Sequence, residues 1–223
     1  MFTGIVKGLG KIQKIEQLPG LHKIDVELPL GAEEGVELGA SIANDGVCLT
    51  VAHINGRVVR FDVMQETLNK TTIGSLKEGD QVNIERAAKD GQEVGGHILS
   101  GHIDTTIEVS KIERPENNYV IHFKVPKEWM QYIFAKGYIG LNGASLTIAS
   151  VNKAENTFTV WLIPETLRLT TFGHKKIGDK INLEVERATQ VIVETVQRYL
   201  DEKLASLLPG LTKSNSDDSP TLA

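Results

Sequence analysis

The segment FTGIVKGLGKIQKI (2–15) returns 97 residues later as LSGHIDTTIEVSKI (99–112). The same shift of 97 places DGVCLT (45–50) on NGASLT (142–147). Thr3 then falls on Ser100, Ile5 on His102 and Cys48 on Ser145. Further on, QETLNKTTIGSLKEGDQVNIE (65–85) aligns with PETLRLTTFGHKKIGDKINLE (164–184) at a shift of 99. The second half therefore gains two residues, expected at the turn NKAENT (152–157). Glu-Thr-Leu, Thr-Thr, Gly, Gly-Asp and Asn recur in one order, which chance does not easily produce. Self-similarity of this length constrains the architecture before any local reading, because like units form like folds.

Each unit reads as strands. KIDVEL, LTVAHI, RVVRFDVM and QVNIE are short, partly alternating and rich in β-branched residues, with NG at 55–56 and GD at 79–80 as turns. YVIHFKV, LTIASV, FTVWLI and KINLEV repeat the plan. Short strands at regular spacing predict a small closed barrel or a sandwich, and closure would remove the exposed sheet edges. The Gly-rich join AAKDGQEVGGH (87–97) keeps the units as tethered neighbours. The expected divisions are 1–97, 98–187, a helix over 188–208, and a polar, disordered tail over 209–223. On the helix, Val193, Val196, Leu200, Leu204 and Leu207 form one stripe, and Pro209-Gly210 stops it. Two complete barrels leave it little core to join, which favours an oligomerisation helix over one packed on its own barrel.

The net charge of −5, with acids and bases interspersed, gives no footprint for nucleic acid or an anionic membrane. The single cysteine excludes an intrachain disulfide and fits a reducing compartment. The start MFTGIVKGLG lacks the pattern of a signal peptide, and no segment approaches the roughly 20 apolar residues of a membrane span. The expected location is the cytoplasm.

The duplicated Gly turns are the strongest candidates for chemistry. Backbone approach at the glycine lets amide groups meet a flat ligand, and two like turns then imply two like pockets. A purely structural barrel corner weighs about equally from pattern alone. In GGHILSGH (95–102), His97 and His102 are five apart and would face opposite ways on a strand. They do not read as a chelating pair, and with one cysteine no structural zinc is expected. The segment is neither a Walker A loop nor a dinucleotide fingerprint. A histidine taken at random is more often a hydrogen-bonded core or surface group. His102 stands out because it replaces Ile5, an acid–base group in place of an apolar one. Cys48 is a lone cysteine, ordinarily a small buried hydrophobe, but its match to Ser145 makes it a candidate thiol near a ligand. Lys136 falls on Gly39 and Tyr138 on Ser41, again beside the duplicated turns.

Together, MFTGIV, DGVCLTV, FDVMQETL, VNIERA, GGHILSGH, KGYIGLNGASLT and LIPETLRLTT resemble the riboflavin synthases of the trimeric α-chain type, over residues 1–208. The resemblance implies an all-β fold of two tandem six-stranded Greek-key barrels followed by a C-terminal helix that holds a homotrimer. It implies one 6,7-dimethyl-8-ribityllumazine per barrel, an active site between the N-terminal barrel of one subunit and the C-terminal barrel of another, and no metal or added cofactor. Some relatives associate with a lumazine synthase capsid. By the same matching, Ser41, Cys48 and His102 are the polar groups near the reacting rings. Thr50, Thr67, Thr147 and Thr166 contact the pyrimidinedione or ribityl chain. Gly4, Ile5, Val6, Gly101 and Ile103 line the pockets through backbone groups. Lys136 and Ser145 belong to the C-terminal pocket. Leu49, Asp62, Val63, Met64, Gln65 and Glu66 complete the first site. Leu146, Trp161, Leu162, Ile163, Pro164 and Glu165 complete the second. Two departures stand out: Asn142 where the family is expected to have Asp, and Glu186 where some relatives have Asp. Two other readings remain open, a flavin or lumazine carrier on the same fold and a purely structural trimer.

Overall fold

The computed structural model describes residues 1–207; the expected tail over 209–223 and the helix-stopping Pro209-Gly210 lie outside the described residues. Residues 1–186 form one compact unit and the helix α3 (Arg187–Leu207) belongs to a second. The first repeat contributes β1 (Gly8–Leu18), β2 (Leu21–Glu27), β3 (Ser41–Asn44), β4 (Val47–Asn55), β5 (Val58–Met64) and β6 (Gln81–Arg86), with the short helix α1 (Gln65–Lys70) between the last two. The second contributes β7 (Thr105–Glu113), β8 (Tyr119–Lys124), β9 (Tyr138–Leu141), β10 (Ala144–Asn152), β11 (Thr157–Leu162) and β12 (Lys180–Val185), with α2 (Pro164–Leu169) in the matching place. The chain order around the first barrel is β1-β2-β5-β4-β3-β6, and the second repeats it as β7-β8-β11-β10-β9-β12. Every strand has two antiparallel neighbours, so both barrels close and no edge is left to pair with another chain.

Local detail repeats with the topology. β-bulges fall between Ile12 and Lys14 and between Val51 and His53 in one barrel. In the other they fall at the equivalent Val109/Lys111 and Ile148/Ser150. The two extra residues of the second repeat sit in the β10–β11 turn, as the alignment predicts. The cores keep the register but trade volumes. Cross-strand neighbours Val26 and Val59 of the first barrel become Phe123 and Phe158 of the second. In return, the first barrel's Ile24–Phe61 pair becomes Ile121–Val160. All eight are buried, so each barrel fills its interior with its own arrangement of similar material.

The barrels meet about a local twofold axis. Phe2 bridges its own equivalent Leu99, each backbone N–H donating to the other's carbonyl at 2.8 and 3.0 Å. Gly46 and Gly143, also equivalents, lie back to back with positive φ of 81° and 77°. A Cβ on Gly46 would stand 2.6 Å from the Gly143 nitrogen, so glycine is required on both sides. Four polar residues flank this contact. The Asn83 backbone N–H donates to Asp45 Oδ1 at 2.8 Å, and the Asn182 backbone N–H donates to Asn142 Oδ1 at 2.7 Å. The Asn83 side chain then crosses to the other barrel, donating to the Asn142 carbonyl and accepting from the Thr171 N–H. Asn182 crosses the other way, donating to the Asp45 carbonyl and accepting from the Thr72 N–H. Asn142 therefore serves the barrel junction with the same acceptor geometry as Asp45.

The segment 95–102 is loop rather than strand, apart from the bridge at Leu99. The helix α3 runs Arg187–Leu207, starting one residue before the predicted 188. Val196, Leu200 and Leu204 of its predicted stripe are exposed. No helix among the described residues is long and apolar enough to cross a membrane.

Two outcomes are expected at the junction. Gly143→Ala should destabilise the fold by roughly 2–4 kcal/mol, from left-handed strain plus a backbone clash, as read by chemical denaturation. Asp45 is fully buried, and this desolvation pushes its carboxyl from 3.8 up to about 6, against the pull of Lys175 and the Asn83 N–H. Because the folded value is the higher one, protonation favours the fold: stability is fullest below the unfolded value and is lost as pH rises through about 6. Asp45→Asn, which copies Asn142, should stabilise the protein by up to about 3 kcal/mol at neutral pH and by little near pH 4. A stability difference that does not grow between those pH values would contradict this.

Candidate functional site

The leading segment of each repeat is anchored to its own barrel and delivered to the other one. Glu85, at the end of β6, accepts the Thr3 N–H at 2.7 Å, the Thr3 hydroxyl at 2.8 Å and the Gly4 N–H at 3.0 Å. Glu184 of β12 holds Ser100 and Gly101 in the same way, at 2.7, 2.7 and 3.0 Å. Burial pushes the Glu85 carboxyl above its usual range, and the three hydrogen bonds oppose that. Held so, the Gly4 carbonyl accepts the Ser145 N–H of the second barrel at 2.8 Å, and the Gly101 carbonyl accepts the Cys48 N–H of the first at 2.9 Å. Val6 packs into the core of the second barrel and Ile103 into that of the first. The two repeats have exchanged their first few residues.

This exchange builds two pockets. One, of about 210 Å³, is lined by Val47, Cys48, Glu66, Thr67, Lys70 and Thr71 of the first repeat and by Gly101, His102 and Ile103 of the second. The other, of about 180 Å³, is lined by Ala144, Ser145, Leu146, Glu165, Thr166, Leu169 and Thr170, and by Gly4, Ile5 and Val6. Cys48 and His102 therefore share the N-terminal pocket, while Ser145 and Ile5 share the C-terminal one. The sequence alignment pairs Cys48 with Ser145 and Ile5 with His102 as equivalents, but only the swap shows which residues are neighbours. Both pockets fall short of the roughly 300–1,000 Å³ of an enclosed small-molecule site.

Most of the other expected site residues are not among these lining residues. Leu49, Val63 and Leu162 are core residues of the barrels. Thr50, Thr147, Asp62, Gln65 and Pro164 are exposed, as are Met64, Trp161 and Ile163, three large apolar side chains beside the short helices. Ser41 starts β3, and Lys136 precedes β9 with φ of 68°, matching the 83° of Gly39; neither is among the lining residues above. Glu165 is tied to Arg168 of its own helix at 2.6 and 2.8 Å. Asn142 is buried at the barrel junction and is not among the residues of the C-terminal pocket wall. Among the described residues no cluster of three or more metal-ligating side chains occurs. A larger cavity, about 840 Å³, is a cleft beside the junction, walled mostly by the two copies of one turn: Thr72, Gly79 and Asp80 with Thr171, Gly178 and Asp179. Its turn carboxylates are engaged with backbone, Asp80 accepting the Lys77 N–H and Asp179 the Lys176 N–H.

Sequence reasoning missed Glu85, Glu184, Asn83 and Asn182. The signal was present, since Asn-x-Glu recurs in VNIE and INLE, but nothing in one sequence says that these side chains reach across repeats. It also left His97 without a role. That residue is buried at 6 % exposure, with Nδ1 2.7 Å from Ser145 Oγ and its ring stacked on Tyr138 at 5.2 Å between centroids.

Comparison with known proteins agrees with this geometry. The chain matches the lumazine binding domain twice, over residues 3–87 and 100–186. It is 52% identical over 201 residues to riboflavin synthase of Escherichia coli (strain K12), covering 90% of this chain and 93% of that protein. It is 45% identical to riboflavin synthase of Chlamydia pneumoniae, with 90% and 97% covered. Among solved structures, LumP complexed with 6,7-dimethyl-8-(1'-D-ribityl) lumazine superposes with a TM-score of 0.75 at 30% identity, over 83% of this chain and 99% of that one. LumP complexed with riboflavin gives 0.77 at the same identity, over 83% and 100%.

Proposed function

The chain belongs to the riboflavin synthase family and is built from two lumazine-binding domains, and on that premise we propose how its two pockets divide the reaction. The enzyme is a transferase that converts two molecules of 6,7-dimethyl-8-ribityllumazine into riboflavin and 5-amino-6-(D-ribitylamino)uracil. One molecule gives a four-carbon unit to the other. The atoms of the two products account for those of the two substrates, so no external oxidant or reductant enters the balance.

The reading rests on one observation: two related but unlike pockets, each closed by the other repeat's leading segment. A dismutation needs two copies of one substrate in different roles. In the N-terminal pocket, Cys48, Thr67 and His102 would face one ring, with His102 at the mouth handling a proton. In the C-terminal pocket, Ser145, Thr166 and the backbone of Gly4–Val6 would face the other. Ser41, Thr50, Thr147 and Lys136 would add contacts from the rims. The 7-methyl group of the lumazine is acidic because its anion delocalises into the ring. The protein's main task is then to orient two flat rings, which can lower a bimolecular barrier by roughly 7–11 kcal/mol. A positioned acid–base group adds about 10²–10⁴-fold.

The two pockets share no lining residue, and each is smaller than an enclosed site. They act as half-sites, and stacked rings require the N-terminal pocket of one chain to face the C-terminal pocket of another. The exposed apolar residues of α3, Val196, Leu200 and Leu204, are the surface that would hold three chains together. The trimer would work in the cytoplasm, with a lumazine synthase capsid as a further partner.

Incubated with 6,7-dimethyl-8-ribityllumazine alone, the chain should form one riboflavin per two lumazines consumed, with release of the pyrimidine. Tight binding without riboflavin would instead describe a carrier. Truncation after Glu186 should abolish the trimer in sedimentation and lower turnover far more than binding; a truncated chain that still sediments as a trimer would remove α3 from this role.

A further inference from the structure

A chain with two repeats has only one linker between them, so the linker breaks the twofold symmetry. Here it does so beside a pocket. His97 is the last residue of that linker, AAKDGQEVGGH (87–97). Gly96 admits the linker against the second barrel: a Cβ there would stand 2.3 Å from the Thr3 carbonyl oxygen and 2.6 Å from Ser145 Cβ. His97 follows and lies behind Ser145, which itself lines the C-terminal pocket. Nδ1 is 2.7 Å from Ser145 Oγ. The imidazole is held flat against Tyr138, with 19° between the ring planes. Tyr138 stands where the first repeat has Ser41, so the aromatic that supports the imidazole occurs only in the second repeat.

The surroundings of the two ring nitrogens bear on the tautomer. His97 Nε2 is buried and has no partner among the described residues. One ring nitrogen of a neutral imidazole carries the proton and the other a lone pair. Genuinely orphaned buried N–H groups are rare. The bare nitrogen is therefore Nε2 and the N–H is Nδ1, pointed at Ser145 Oγ. Burial, opposed by Glu186, holds the ring below the usual histidine range, in agreement with a neutral imidazole. With Oγ already accepting from Nδ1–H, the serine hydroxyl hydrogen turns away from His97.

We propose that His97 is a positioning residue that donates Nδ1–H to Ser145 Oγ and so aims the Ser145 hydroxyl hydrogen into the C-terminal pocket, as a donor to a ring carbonyl or ring nitrogen of the lumazine bound there. This rests on the functional reading above. It makes the two pockets chemically unlike: the C-terminal pocket offers a fixed hydroxyl donor that stabilises negative charge developing on its ring, while Cys48 in the equivalent place has only a weak S–H donor. A hydroxyl that also accepts a hydrogen bond is polarised into a better donor.

Two measurements test this. In the full chain labelled with ¹⁵N-histidine, the His97 resonances should be those of the Nδ1–H tautomer at neutral pH; an Nε2–H tautomer or an imidazolium would overturn the proposal, and this needs no variant. In steady-state kinetics, His97→Leu and Ser145→Ala should each lower kcat roughly tenfold, about the effect of one hydrogen bond, with little change in KM. The double variant should be no slower than the slower single one. His97→Asn, whose side-chain amide reaches the place of Nδ1, should recover most of the rate. Losses that multiply in the double variant, or a Ser145→Ala enzyme of unchanged rate, would overturn the link between the two residues. If the unaltered chain made no riboflavin, the functional reading would fail instead, and the tautomer would still decide the His97–Ser145 geometry.

Discussion

Gly46 and Gly143 touch through their backbones, and most of what distinguishes this molecule from two barrels on a string follows from that contact. It brings the DGVCLT and NGASLT turns together at a local twofold axis. Only at this separation can the Asn83 amide reach the Asn142 carbonyl and the Thr171 N–H, and Asn182 the Asp45 carbonyl and the Thr72 N–H. The buried backbone groups of each turn are thus satisfied by the other barrel. The same closeness lets residues 3–6 and 100–103 cross the axis while Glu85 and Glu184 keep them tied to their own strands. Side chains on the two glycines would push the turns apart, and with them both pocket walls.

A symmetric frame cannot by itself give two substrates different roles, so the departures from symmetry carry the chemistry. Those that bear on the pockets fall beside the axis. Ile5 against His102 and Cys48 against Ser145 change what each pocket offers a ligand. Tyr138 against Ser41 makes room for a ring stack that the first repeat lacks. Asp45 against Asn142 is different in kind. Each accepts a backbone N–H in the same geometry, and the difference is a buried charge that costs stability above about pH 6. That pair concerns the junction and not the pockets, because Asn142 is buried at the turn.

The barrels were legible in the sequence because their cause is local and written twice. Alternating β-branched segments, paired turn residues and a fixed shift do not depend on distant contacts, and even the two-residue insertion could be placed. The identity of Cys48, Ser145, Ile5 and His102 as places of divergence was legible for the same reason. Their grouping was not, because it follows from an exchange of segments that a linear alignment cannot express. The alignment pairs Ile5 with His102; the fold pairs Ile5 with Ser145 and His102 with Cys48. His97 lies against Ser145 and His102 lines the N-terminal pocket, but a loop separates the two histidines, not the alternation of a strand. His97 was missed because it lies in the linker, outside the aligned segments, which a search for matched positions passes over.

The segment exchange also explains why the half-sites must be read as properties of the pair of repeats. Gly101 and Ile103 are walls of the N-terminal pocket, yet they are fixed by Glu184 on the last strand of the second barrel. Gly4 and Val6 are walls of the C-terminal pocket, yet Glu85 of the first barrel fixes Gly4. A ligand in either pocket therefore presses on both barrels. A change at the junction is felt in both pockets, whereas a change on one wall, such as at His97, alters one pocket alone. Selection could thus tune donor and acceptor chemistry separately, by single substitutions on a frame whose two halves remained bound to the same geometry.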